Sequence, residues 1–217
     1  IKYTRGEERT NYLSHAGGIL LGVIIGICFL IYCYRHGDVW MQWGVWLYLG
    51  GMLGSYIAST AYHACPATSR WKERLRKWDH AAIYWHIAGS YTPLTLIAMR
   101  DGGAPVWGWA IFAFVWLCAI VGTALSFRKM KAQSYLETAC YVLMGLTILV
   151  AFKPFYECCG LEIVLWVVGE GIAYIVGAVL YSFKKIPYIH SVFHLFVILG
   201  DICHMIATWK ILQMFVL

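Results

Sequence analysis

The chain has 217 residues, 61% hydrophobic and only 13% charged, with a formal net charge of +6. Its long segments are apolar all round, more than one soluble core can hide, which excludes a soluble helical bundle and points to an integral membrane protein. The basic residues are not interleaved with stacking aromatics, so nucleic-acid binding is not expected, and the excess charge reads as a topology signal and an attraction to anionic headgroups.

Seven segments are long enough, at about 1.5 Å per residue, to cross about 30 Å of hydrocarbon. They fall near 12–34, 40–64, 78–99, 104–126, 133–152, 160–182 and 187–212, and predict one all-α, seven-transmembrane domain over the whole chain. Breaks are expected at Arg35–Asp38, Pro66–Lys77, Asp101–Pro105, Arg128–Lys131, Lys153–Glu157 and Lys184–Pro187. No small-residue cleavage site follows the first apolar run, so the first span is expected to be retained. Eleven Trp and fifteen Tyr suit the many positions at membrane–water boundaries. Thirteen of the seventeen Lys and Arg lie on the side of the N-terminus, namely Lys2, Arg5, Arg9, Arg70, Lys72, Arg74, Arg76, Lys77, Arg128, Lys129, Lys131, Lys184 and Lys185. The positive-inside rule then places the N-terminus in the cytoplasm and the C-terminus outside. Cys28, Cys33, Cys118, Cys140 and Cys203 fall in apolar spans without paired zinc-ligand spacing and read as buried thiols.

The first span opens with Glu8, Asn11 and His15, at steps of three and four on one helix face, placed to bond neighbouring helices or to cap the start. Gly18, Gly22 and Gly26, and in the second span Gly50, Gly54 and Ala58, repeat every four residues and predict close-packing faces. The second span ends with Ser59 and His63, one turn apart at the cytoplasmic margin. The third begins there with Asp79 and His80, and His86 lies about 10 Å deeper on the face of Asp79. The seventh enters from the same side with His190 and His194, again one turn apart.

His63, Asp79, His190 and His194 thus come from three spans at one depth of the membrane. Three neutral imidazoles with an open fourth position are the ligand set of a catalytic zinc. Asp79 is then either a further ligand or the group that holds and deprotonates a water for attack on an amide or ester carbonyl. Ser59 either bonds that water and the developing oxyanion or bonds back to its own helix. Asp201 and His204 lie deeper in the last span, where a carboxylate needs a partner or a proton; His204, His86 and Glu170 are the candidates. They form either a polar route outward from the metal or an internal hydrogen-bonded cluster.

Glu8, Asn11 and His15, S59-x-x-x-H63, D79-x-x-x-I83 with IAGSYTP over 87–93, and H190-x-x-x-H194 occur in this order over essentially the whole chain. The combination resembles the hemolysin III branch of the progestin and adipoQ receptor (PAQR) family, within the alkaline-ceramidase-like superfamily. The resemblance implies zinc on His63, His190 and His194, a site completed by Ser59 and Asp79, and a multi-pass protein of the bacterial inner (plasma) membrane. It favours a zinc-dependent, ceramidase-like hydrolase of membrane lipid amides or esters, with lipids or fatty acids as partners and a role in lipid homeostasis. Two other readings are a membrane-state sensor or receptor with structural zinc, and a pore-forming cytolysin or channel. No protein partner is indicated, and with no outer domain expected, a protein hormone is not the expected ligand.

Overall fold

The computed structural model describes residues 3–128, 135–183 and 185–216, and every element among them is helical. The start of the expected fifth span, residues 133 and 134, lies outside the described residues, as do Lys2, Lys129, Lys131 and Lys184.

Helix α1 spans Arg5–His36. Thr4 starts it through a capping box: its hydroxyl accepts the Glu7 N–H at 3.2 Å, and the Glu7 carboxylate accepts the Thr4 N–H at 2.8 Å. Helix α2, Val39–Ala64, is capped by Asp38, whose carboxylate accepts the Met41 N–H at 2.8 Å. Helix α3 covers Lys72–Thr92 and starts six residues before the expected span, so the basic run Lys72–Lys77 is helical and forms its first turns. Pro93 supplies no N–H, and the helix runs on through it as a π-helical segment, Pro93–Met99.

Helix α4, Pro105–Phe127, begins on a proline, where a missing N–H is harmless. Helix α5, Tyr135–Gly145, tightens into a 3-10 segment, Leu146–Ala151, and joins α6, Phe152–Ser182. The expected break at Lys153–Glu157 is instead a short helical stretch, bounded by non-helical backbone at Ala151 and by Gly160 at φ 72°. Gly160 takes a conformation that other residues rarely adopt, so the interruption falls there. Helix α7, Ile189–Met214, follows Tyr188, a non-glycine residue at φ 60°.

Among the described residues, four helical stretches are long and apolar enough to cross a membrane: Arg5–His36, Pro105–Phe127, the broken 46-residue stretch Glu137–Ser182, and Ile189–Met214. Outward faces carry Leu20, Ile24, Ile27, Leu117, Leu165 and Ile172, while Asn11, His63, His86, His194, Asp201 and His204 are buried. Apolar outside and polar inside is the arrangement of a membrane helical bundle.

Helix α1 packs on α2 and α7, α2 on α3, α3 on α4, and α6 on α7. The glycines of α1 do pack closely: a Cβ on Gly18, Gly22 or Gly26 would lie 2.8, 2.8 or 3.0 Å from Tyr56, Met52 or Leu49 of α2. The expected Gly50 and Gly54 face is corrected. Both point into open space, and Gly51, one position round the helix, is the contact, with its virtual Cβ 2.3 Å from the Trp85 carbonyl oxygen. All eight cysteines are free; Cys33 is buried as expected, whereas Cys28 is exposed because it lies on the outward face of α1.

Candidate metal centre

His63 ends α2, and His190 and His194 occupy the first turns of α7, so the packing of α1 against both helices closes the three rings together. His63 and His194 are 2% and 1% exposed. The Nε2 atoms of His63 and His190 are 3.1 Å apart, those of His190 and His194 are 2.9 Å apart, and the donor set lies within 4.8 Å throughout.

The partners on the far side of two rings assign their tautomers. His63 Nδ1–H donates to Glu8 Oε2 at 2.5 Å, and His194 Nδ1–H donates to the Asn11 carbonyl oxygen at 3.1 Å. In each neutral ring the lone pair is then on Nε2, and both lone pairs face Nε2 of His190. One imidazole proton serves only one of them; a cation serves all three. A tetrahedral zinc with bonds of about 2.0–2.1 Å sets its nitrogens about 3.3 Å apart, so the residues fit that ion in number, type and spacing.

The surrounding groups hold these rings. Lys72 Nζ donates to Glu8 Oε1 at 2.9 Å and to the Tyr62 and Cys65 carbonyls at 2.7 and 3.1 Å, so one ammonium both fixes the carboxylate behind His63 and caps the end of α2. Asn11 Oδ1 accepts from Ser191 at 2.6 Å, and the Ser14 hydroxyl lies 3.0 Å from His194 Nδ1. His15 stacks on His194 at 3.6 Å between centroids, with both of its ring nitrogens buried and unpartnered. Ser59 is buried close to the Asp79 carboxylate, which lies in the field of His63.

Beside His190 opens a pocket of about 340 Å³, lined by Tyr3, Glu7, Tyr181, Lys185, Tyr188 and His190 among others. The Glu7 carboxyl at its rim is held below the usual carboxylate range, first by the Thr4 N–H and then by the Tyr188 N–H, which donates at 3.0 Å.

The structure thus gathers Glu8, Asn11, His15, Ser59, His63, Asp79, His190 and His194 at one end of the bundle. His86, Asp201 and His204 are not brought there. His86 Nε2–H donates to Asp201 at 2.8 Å, and His204 pairs with Glu170 at 2.8 Å, so the two deep residues of α7 have different partners. Lys72, Ser14 and Ser191 escaped the sequence reading. Ser191 follows His190 directly, but Lys72 looked like one more charge in a basic run, and nothing local shows that it turns back onto Glu8.

The family described as Haemolysin-III related matches residues 3–205 of this chain. Hemolysin-3 of Bacillus cereus is 35% identical over 198 residues, 90% of this chain and 87% of that protein. The Hemolysin-3 homolog of Bacillus subtilis (strain 168) is 32% identical over 200 residues, 92% of this chain and 91% of that protein. A human protein, Monocyte to macrophage differentiation factor, is 29% identical over 220 residues, 97% of this chain and 87% of its own length.

Proposed function

This chain belongs to the haemolysin-III-related family, and from that premise we propose that it is a zinc-dependent hydrolase of membrane lipid amides or esters, serving membrane lipid homeostasis. In this reading it crosses the bacterial plasma membrane seven times, with the N-terminus and the histidine cluster on the cytoplasmic side and the C-terminus outside. The observation that carries it is the convergence of three Nε2 atoms beside an Asp–Ser pair.

When bound, zinc supplies Lewis acidity, polarising a carbonyl and bringing the pKa of water down to about 7. His63, His190 and His194 would hold it. Glu8 and the Asn11 carbonyl orient two of the rings through their Nδ1–H groups. Asp79 accepts the proton from the attacking water and returns it to the leaving amine or alkoxide. The Ser59 hydroxyl orients that carboxylate for both transfers. In this reading substrate arrives sideways from the lipid.

Purified protein should contain stoichiometric zinc and release fatty acid from ceramide-like lipids, with turnover abolished in His63→Ala and Asp79→Asn. Full zinc occupancy with no turnover across a broad lipid panel overturns the reading. A sensor with structural zinc is the second reading, favoured by the way the cluster ties α1, α2 and α7 together. It predicts that Asp79→Asn leaves the cellular effect intact while ligand substitutions unfold the bundle.

A further inference from the structure

Beyond the histidine cluster α7 carries a second set of buried polar residues. His190, His194, Asp201, His204 and Thr208 share one helix face over about 27 Å of rise. Asp201, 1% exposed, takes three donors: the Tyr56 hydroxyl, the Tyr174 hydroxyl and His86 Nε2–H. Three residues on, His204 Nδ1–H donates to Glu170 Oε2. Tyr48 lies in the field of both carboxylates, with its ring 5.0 Å from that of His204, and His86 also feels Glu170. Two carboxylates, two imidazoles and three phenols from α2, α3, α6 and α7 therefore form one coupled cluster.

The packing is shaped around it. A Cβ on Gly200 would lie 2.4 Å from the Tyr174 ring, and one on Gly18 would lie 2.8 Å from the Tyr56 ring, so two glycines clear the way for the phenols that reach Asp201. Bonding is uneven along the column. Asp201 takes three donors, whereas Tyr48 Oη, His204 Nε2 and Thr208 Oγ1, toward the end remote from the histidine cluster, are buried without protein partners. Each unsatisfied group costs roughly several kcal/mol in hydrocarbon, and three of them together suit ordered water, which takes two to four polar partners.

We propose that this cluster is a proton relay in the middle of the membrane, completed by ordered water at Tyr48, His204 and Thr208. A proton taken from that water at His204 Nε2 releases the Nδ1 proton to Glu170. From Glu170 it passes by the Tyr48 hydroxyl and its water to Asp201, each group accepting one proton and giving one up. Three donors favour the ionised form of Asp201, so it holds a proton only in passing and hands it on through the Tyr56 hydroxyl, on the side of the histidine cluster, while the unpaired atoms mark the entry. The relay stands without the hydrolase reading, because none of these residues is a metal ligand or touches one.

The test is proton flux into liposomes with a trapped pH dye, driven by a potassium diffusion potential. Wild-type protein should carry protons several-fold faster than protein-free liposomes, Asp201→Asn and Glu170→Gln should fall to the protein-free rate, and Lys210→Gln should match wild type. Wild-type flux at the protein-free rate, flux that survives both substitutions, or simultaneous escape of a trapped anionic dye overturns the relay. Folding of the variants is checked by circular dichroism and gel filtration. If neither folds, infrared spectra of the wild type across pH decide: a buried carboxylic-acid band that appears as pH falls and shifts in heavy water supports the relay, and its absence at every pH overturns it.

Discussion

At the scale of single residues, the site depends on what stands behind the rings. Glu8 accepts from His63 while Lys72 holds its other oxygen, so Glu8→Gln keeps the shape and removes the charge. Loss of such a partner lowers metal affinity by about 10–100-fold, which zinc competition against a chelator would measure, with the bundle still folded. Glu7, in the turn before the first expected span, works through protons. Its folded pKa is depressed by the Thr4 and Tyr188 N–H groups, so its contribution is present above the ordinary glutamate value of about 4.3 and is lost as pH falls through the lower folded value. Thermal melts of wild type and Glu7→Gln should therefore differ at pH 7 and converge in acid; a difference that persists in acid argues against this. The clustered histidines were legible because the i, i+4 spacing of His190 and His194 is a local property and the depth shared with His63 follows from where each span begins or ends. Lys72 was not, because its role depends on where α1 lies against the end of α2.

At the scale of elements, helices in lipid approach one another through small residues, and the position that matters is set by helix phase. Spacing alone marked Gly50 and Gly54, which a repeat of four allows as readily as Gly51. Only the rotation of α2 against α3 distinguishes them. A Cβ at Gly51 meets the Trp85 carbonyl at 2.3 Å, a backbone atom that cannot swing aside, whereas Gly50 has nothing within 4 Å. Gly51→Ala should cost about 1–3 kcal/mol by overpacking, and Gly50→Ala should be neutral or slightly stabilising through helix propensity. Thermal denaturation in detergent compares the pair. The start of α2 was legible, because Asp38 closes the expected break and caps the helix, whereas α1 starts at Arg5 behind Thr4, well before the span expected near 12. The interruption between the fifth and sixth expected spans falls on either side of Lys153–Glu157, at Ala151 and Gly160, and the stretch between them is helical although Lys153 and Glu157 look like loop residues.

For the whole molecule, a histidine cluster buried between α1, α2 and α7 joins the start of the chain to its end. The helices α6 and α7 pack mainly on each other, and α7 meets α1 along the face that carries His194. A metal ion there binds the assembled bundle and has no equivalent site once α7 separates. Binding to the folded state alone adds about 2.7 kcal/mol when free ligand is at one hundred times Kd. Removing zinc with a chelator should therefore lower the melting temperature, and adding zinc back should restore it. A variant with His63, His190 and His194 all replaced by Ala should melt at one temperature whether zinc is present or not. The orientation of the bundle decides which compartment would supply an ion to the cluster. Reporter fusions after Gly37 and after Ser69 separate the two ends: alkaline phosphatase active at Gly37 and inactive at Ser69 places the cluster on the cytoplasmic side, where the thirteen basic residues put it. The reverse pattern would invert the bundle, expose the histidine pocket to the outside, and leave the positive-inside count without a physical consequence.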